Sequence, residues 1–318
     1  MAPQAHLSDG PPCPGEVGEI VGGRGRHLYM AHWAAPGPGP ARPPVILVHG
    51  FGEHLGRYGD VICALTAAGH PVWAVDLRGH GRSDGRRADV ERLDWVLADI
   101  DQLVTRAMAA TGGPDHRTGG PDHREGAGKV LADPPKPVLL GHSMGGAFAA
   151  AYAVWRPGNV GALVLSAPAL HVSLVHRWQG LGTQALAAIA PGVGVARIDP
   201  SQLSHDPTTV TAYVEDPLVW HGKVPARTAA VMYQAGLRAF AGARELHLPV
   251  LMVHGEDDRI VPIQSSRRFL AALGGPDKQL LAVPGSWHET HNDIGKQDVL
   301  AGLVAWLARH QTVGDRAL

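Results

Sequence analysis

Hydrophobic positions along this chain come in two rhythms. Short runs are apolar at every position: Val45-Ile46-Leu47-Val48, Val72-Trp73-Ala74-Val75, Pro137-Val138-Leu139-Leu140, Ala162-Leu163-Val164-Leu165, Val250-Leu251-Met252-Val253 and Leu280-Leu281-Ala282-Val283. Such runs predict strands covered on both faces. Between them apolar positions recur three and four apart. Leu93, Val96, Leu97, Ile100, Leu103, Val104 and Ala107 predict a helix over 90–110 in this way. Further helices are predicted over 58–68, 147–155, 263–273 and 299–309. Near the start, 16–21 and 26–33 predict two strands joined by the turn Gly22-Gly23-Arg24-Gly25. Strands alternating with helices predict an α/β fold, with a mostly parallel sheet and helices on both faces.

The alternation stops over about 169–245. There Leu174, Trp178, Leu181, Ala185 and Ile189 recur at helical spacing, and no strand is evident. This block reads as a helical insertion into the sheet domain. A second insertion is expected over 111–128, where Thr111-Gly112-Gly113-Pro114-Asp115-His116-Arg117 is repeated as Thr118-Gly119-Gly120-Pro121-Asp122-His123-Arg124. Seven Gly, Pro and charged residues in tandem cannot build a core, so this is a surface loop, and its two histidines read as solvated rather than metal-binding. Residues 1–15 predict a disordered tail, which leaves 16–318 as a single domain.

Composition narrows the picture further. A net charge of −1 over 318 residues gives no global field for nucleic acid. Cys13 and Cys63 do not suggest a disulfide framework or a metal site. No apolar run is long enough to span a bilayer, and the first residues lack the apolar stretch of a secretory signal. The expected compartment is cytoplasmic, with contact at a membrane surface left open.

The chemistry concentrates after the predicted strands. Gly141-His142-Ser143-Met144-Gly145-Gly146 lies between an apolar strand and a helix, the setting of a G-x-S-x-G nucleophile elbow. In a parallel sheet, reactive groups gather at the carboxyl ends of the strands. After Val48 comes His49-Gly50-Phe51-Gly52. After Val253 comes His254-Gly255-Glu256-Asp257-Asp258, and after Val283 comes Pro284-Gly285-Ser286-Trp287-His288. A serine hydroxyl needs a base, and the base needs an acid to orient it. Ser143 is the candidate nucleophile and His288 the base, with His291 a rival that lies farther past the strand. Asp257 and Asp258 are both available as the acid, and spacing does not choose between them. An oxyanion would be held by the backbone N–H of Met144 and by Phe51 N–H, where Gly50 and Gly52 allow close approach. His49, His80, His142 and His254 read as local packing. Glu53, His54 and Arg57 read equally as loop supports or as surface residues, and Asp84 and Asp101 carry no assigned role.

His49-Gly50-Phe51-Gly52-Glu53-His54-Leu55-Gly56-Arg57-Tyr58, the Asp76 to Gly85 stretch, the elbow, Leu165-Ser166-Ala167-Pro168, Asp216-Pro217-Leu218 and His254 to Asp258 together resemble the bacterial monoacylglycerol lipases of the α/β-hydrolase superfamily. The resemblance implies a serine esterase that cleaves monoacylglycerol to glycerol and fatty acid, with no cofactor or metal. It implies Ser143 as nucleophile, His288 as base, Asp258 rather than Asp257 as acid, and Phe51 and Met144 as oxyanion donors. It makes 169–245 a cap over the site. The cap's apolar residues, among them Leu174, Trp178 and Leu181, become candidates for an acyl tunnel and for transient contact with a membrane surface. The rival expectations are a lysophospholipase, a broad carboxylesterase, or another reaction hosted by the same fold.

Overall fold

A computed structural model of the chain describes residues 15–36, 42–110, 135–170 and 176–310. The tandem repeat, Leu174 and nearly all of the 1–15 tail lie outside them. In chain order the strands are β1 (Glu16–Val21), β2 (His27–Trp33), β3 (Val45–Val48), β4 (Val72–Val75), β5 (Val138–His142), β6 (Ala162–Ser166), β7 (Gly194–Ala196), β8 (Val224–Pro225), β9 (Val250–Gly255) and β10 (Lys278–Val283). The helices are α1 (Gly59–Ala67), α2 (Leu93–Ala110), α3 (Ser143–Trp155), α4 (His176–Ile189), α5 (Pro207–Glu215), α6 (Ala226–Gly242), α7 (Gln264–Ala272) and α8 (Lys296–Arg309).

Eight strands form one sheet in the order β1-β2-β4-β3-β5-β6-β9-β10. β2 runs antiparallel to both β1 and β4, and from β4 to β10 every pairing is parallel. The continuous apolar runs now have a cause. Val45 and Leu47 pack with α1 and α8 on one face, while Ile46 and Val48 pack with α2 and α3 on the other. Each strand residue therefore meets a core, whichever way it points. On α2, Leu97, Ile100 and Leu103 are fully buried, and each contributes about 2 kcal/mol by leaving water. With the central strands parallel, their carboxyl ends share one edge of the sheet. The segments after β3, β5, β9 and β10 meet there, and the long 169–245 segment leaves from the end of β6.

Three expectations need correction. The 169–245 segment contains two strands: β7 and β8 pair antiparallel, with an irregular register. They are three and two residues long, too short to leave a period in the sequence. The helix after the elbow begins at Ser143 itself rather than at 147. Cys63 is disulfide-bonded, where the sequence suggested no disulfide framework.

Candidate active site

The elbow is a sharp reversal from β5 into α3. Ser143 carries the turn at a positive φ of 50°, a conformation that costs about 1–3 kcal/mol for a residue with a side chain. The glycines beside it are a steric necessity. A Cβ on Gly145 would lie 2.2 Å from the Val48 carbonyl oxygen, and one on Gly141 would lie 2.4 Å from that of Gly145. Without them α3 could not start so close to β3.

Ser143 Oγ is 2.9 Å from His288 Nε2, and His288 Nδ1 is 2.7 Å from Asp258 Oδ2. An ionised carboxylate can only accept, so Nδ1–H donates to Asp258 and Nε2 is left to accept from the serine hydroxyl. The Asp258 side chain is fully buried. Burial alone would raise its pKa. Hydrogen bonds from His254 and His288, the His288 charge and the Val261 amide outweigh that and hold it below the usual carboxylate range. Asp258 Oδ1 accepts from the amides of Ile260 and Val261 at 2.8 and 2.9 Å. Asp257 is exposed. The structure thus brings Ser143, His288 and Asp258 together and leaves Asp257 out. His291 is buried away from Ser143, its ring stacked on Tyr58 at 5.0 Å.

The loop after β3 is oriented by His49. Its Nε2 accepts from Leu77 N at 2.8 Å, so its Nδ1–H donates to the Gly50 carbonyl at 2.7 Å. The Gly50 carbonyl and the Phe51 N–H belong to one planar trans peptide and point in opposite directions. Fixing the oxygen therefore aims the Phe51 N–H away from His49. Among the described residues, no oxygen accepts from that amide. Met144, second residue of α3, stands where a helix has no carbonyl of its own to offer its N–H groups.

Glu53 and His54 are buried, and the Arg57 side chain is only 8% exposed, which excludes the surface reading. Glu53 accepts from Gly50 N at 2.6 Å and from the Tyr58 hydroxyl. Arg57 donates to Glu53 at 2.7 Å and forks onto both oxygens of Glu289 at 2.7 and 2.8 Å. One guanidinium thus ties the loop after β3 to the residue next to His288. Burial, opposed by Arg57 and aided by Glu289, raises the Glu53 pKa. Burial also works to raise that of Glu289, but the Arg57 pairing wins and lowers it.

The 169–245 segment bonds to this frame at several points, among them Glu289 N to the Leu203 carbonyl and Thr209 Oγ1 to the Asn292 carbonyl. Trp220 N donates to the Gly52 carbonyl at 2.6 Å, and Arg87 donates to the Leu218 carbonyl at 2.6 Å. His54 Nε2 is 2.8 Å from Asp216 Oδ2, so the Asp216-Pro217-Leu218 motif docks beside the loop after β3. Asp293 accepts from His205 N at 2.7 Å, and from Ser286 Oγ and Trp287 N at 2.8 and 2.9 Å. It thereby joins that segment to the turn that carries His288. Trp178 and Leu181 fall on α4, but their side chains lie outside the described residues, as Leu174 does entirely.

Sequence reasoning missed Asp293 and the reach of His254, whose Nε2 lies 3.1 Å from Asp258 Oδ2 and 2.7 Å from the Val261 carbonyl. His254 was visible as a histidine four residues before the acid, but its neighbours in space were not. His49 bonds locally to the Gly50 carbonyl but also reaches Leu77 N, and the His142 ring lies 4.9 Å from those of both His288 and His291. Asp84 accepts from His27 N and Asp101 from the Tyr152 hydroxyl, both away from the serine.

The family described as serine aminopeptidase, S33 matches residues 39–119 and 124–295. A monoacylglycerol lipase of Mycolicibacterium smegmatis is 36% identical over 85% of this chain and 89% of its own length. The crystal structure of Paleococcus ferrophilus monoacylglycerol lipase superposes with a TM-score of 0.73 at 32% identity, covering 89% of this chain and 99% of that one. A soluble variant of the Saccharomyces cerevisiae monoglyceride lipase, in complex with a substrate analog, shares the fold at a TM-score of 0.77 and 20% identity, over 98% of this chain and 100% of that one.

Proposed function

Because the chain belongs to the monoacylglycerol lipases within the S33 family of α/β-hydrolases, we propose that it hydrolyses monoacylglycerol to glycerol and a free fatty acid through an acyl-enzyme on Ser143. The observation that carries this reading is the hydrogen-bonded line from Ser143 through His288 to Asp258 at the start of α3.

His288 Nε2 takes the hydroxyl proton as Ser143 Oγ attacks the ester carbonyl. Asp258 stabilises the imidazolium and keeps Nε2 facing the serine. The tetrahedral oxyanion accepts from the Phe51 and Met144 amides, and the positive end of the α3 dipole adds to the stabilisation. The C–O bond to glycerol breaks and His288 hands its proton to the departing glycerol oxygen. Water, deprotonated by the same histidine, then releases the fatty acid and restores Ser143. Residues 169–245 act as a cap that receives the acyl chain. The Trp220, Asp216 and His205 contacts with the catalytic loops support that role. Ile189 at the end of α4 is 85% exposed, with Val193 and Val195 beyond it at 47% and 41%. These residues form an apolar rim suited to transient contact with a lipid surface.

The test is fatty-acid release from monooleoylglycerol, dioleoylglycerol and lysophosphatidylcholine, with Ser143→Ala as control. Fast release from monooleoylglycerol, absent in the variant, is expected. Equal release from all three substrates would replace the reading with a broad lipid esterase. No release by folded protein would overturn it.

A further inference from the structure

On the face built by α2, α4 and α6, two cavities of about 600 and 520 Å³ run into each other, sharing Glu91, Arg92 and Arg227. Neither contains Ser143, Asp258 or His288. Their walls bring together Arg24, Arg26, Arg92, Arg227 and Arg238 against two carboxylates, Glu91 and Asp94. A chain with a net charge of −1 therefore concentrates positive charge in one groove.

The pairing inside the groove is incomplete. Arg26 pairs with Glu91, which Arg78 also holds from below. Arg227 pairs with the buried Asp89 behind it. Arg92 and Arg238 share a single exposed carboxylate, Asp94, at 3.7 and 3.5 Å, beyond good hydrogen-bond distance. Arg24 faces no carboxylate among the described residues. Its guanidinium lies 4.8 Å from the centroid of the Trp95 ring, and that of Arg92 lies 5.5 Å from the same centroid. A guanidinium laid on a ring keeps its N–H edge available.

The position of Arg24 is built rather than incidental. It sits at the tip of the β1–β2 connection with a positive φ of 62°. Asp99 accepts from Gly23 N at 2.9 Å, and the same carboxylate is gripped by the buried Arg78 at 2.7 and 2.8 Å. A buried ion pair thus pins the turn that presents Arg24.

We propose that this groove binds a phosphate group, with Arg24 and Arg92 donating to its oxygens beside Trp95. Guanidinium forks match phosphate oxygens two at a time, and the start of α2 adds a favourable dipole. The volume accommodates an organic phosphate as well as the bare ion. The walls come from the sheet domain and from α4 and α6, so an occupant would bridge the two. The proposal is independent of catalysis at Ser143.

Titration calorimetry with inorganic pyrophosphate, and co-sedimentation with phosphatidylglycerol against phosphatidylcholine vesicles, test it on the full chain. Two double variants accompany the wild type: Arg24→Gln with Arg92→Gln, and Arg24→Glu with Arg92→Glu. Hydrolysis of a short soluble ester is expected to be unchanged in both, which certifies the fold. Saturable pyrophosphate binding, weakened about tenfold or more in both variants, supports the proposal with a soluble phosphate as ligand. Binding to phosphatidylglycerol vesicles alone, lost in the same variants, supports it with a lipid headgroup as ligand. Failure of the wild type to bind either probe, or binding that survives both variants, would overturn it.

Discussion

The catalytic loops and the 169–245 segment are built by opposite means. The loops hold charged groups in the interior, and most of those groups answer to several partners. Arg57 grips two carboxylates, Asp258 takes four donors from two histidines and two amides, and Gly50 is held at both ends of its backbone. The 169–245 segment leaves Ile189, Val193, Val195 and Val214 exposed and is tied to the loops mainly through one seam, where Leu203, Ser204, His205 and Thr209 bond to the Glu289–Asp293 stretch. Bond-making chemistry tolerates little positional error, so its frame is cross-braced. The 169–245 segment instead places apolar side chains in solvent outside that seam.

The sharpest way to break this comparison is at the acid. Asp258→Asn removes the acceptor that sets the His288 tautomer and is expected to lower kcat about 10³–10⁴-fold. The exposed neighbour Asp257→Asn is expected to leave kcat within about twofold. Steady-state kinetics on monooleoylglycerol decides between them. A reversed result would move the acid to Asp257.

The next effect is at the loop after β3. Phe51→Pro deletes a backbone donor and should cost about 10²–10³ in kcat. Phe51→Ala keeps that donor and should cost only a few-fold. The contrast in kcat, with both variants checked for folding, separates a backbone role from a side-chain role.

How much of this could be read in advance depended on whether the signal was local. The strand–Ser143–helix arrangement was legible because steric demands within six consecutive residues specify it. The central strands were legible because a sheet covered on both faces writes an unbroken apolar run. The choice between Asp257 and Asp258 was not, since it depends on which carboxylate turns inward to meet amides and histidines distant in sequence. Arg57 stayed open between loop support and surface because charged residues are usually exposed, and its partner Glu289 lies 232 positions away. β7 and β8 left no trace because so few residues cannot express a period of two.

Stability should divide along the same line. Arg57→Ala strands Glu53 and Glu289 without their cation and is expected to destabilise the fold by about 3–5 kcal/mol. Asp216→Ala cuts a half-exposed tie between cap and loop and should cost about 1 kcal/mol. Urea unfolding measures both. A small loss at Arg57 would mean that the loops are not braced as described.

The same frame can be probed by pH. Burial holds His80 and His291 down at about 4 from an ordinary value of 6.5. Both are neutral in the folded protein and take a proton more readily when unfolded. Their contribution is therefore fully present above 6.5 and is lost as pH falls from 6.5 towards 4, at about 1.4 kcal/mol per pH unit for each. His291→Gln should flatten the fall in urea midpoint over that window. An unchanged slope would place the acid sensitivity elsewhere.

The central claim is that Ser143 becomes acylated during turnover. The direct measurement is intact-protein and peptide mass spectrometry after rapid acid quench of the wild type with p-nitrophenyl oleate, which loads the same acyl group and leaves faster than glycerol. The account predicts one added oleoyl group, on the peptide that carries Ser143, and none in Ser143→Ala. Turnover that persists in Ser143→Ala, or an acyl group found on another residue, would contradict it.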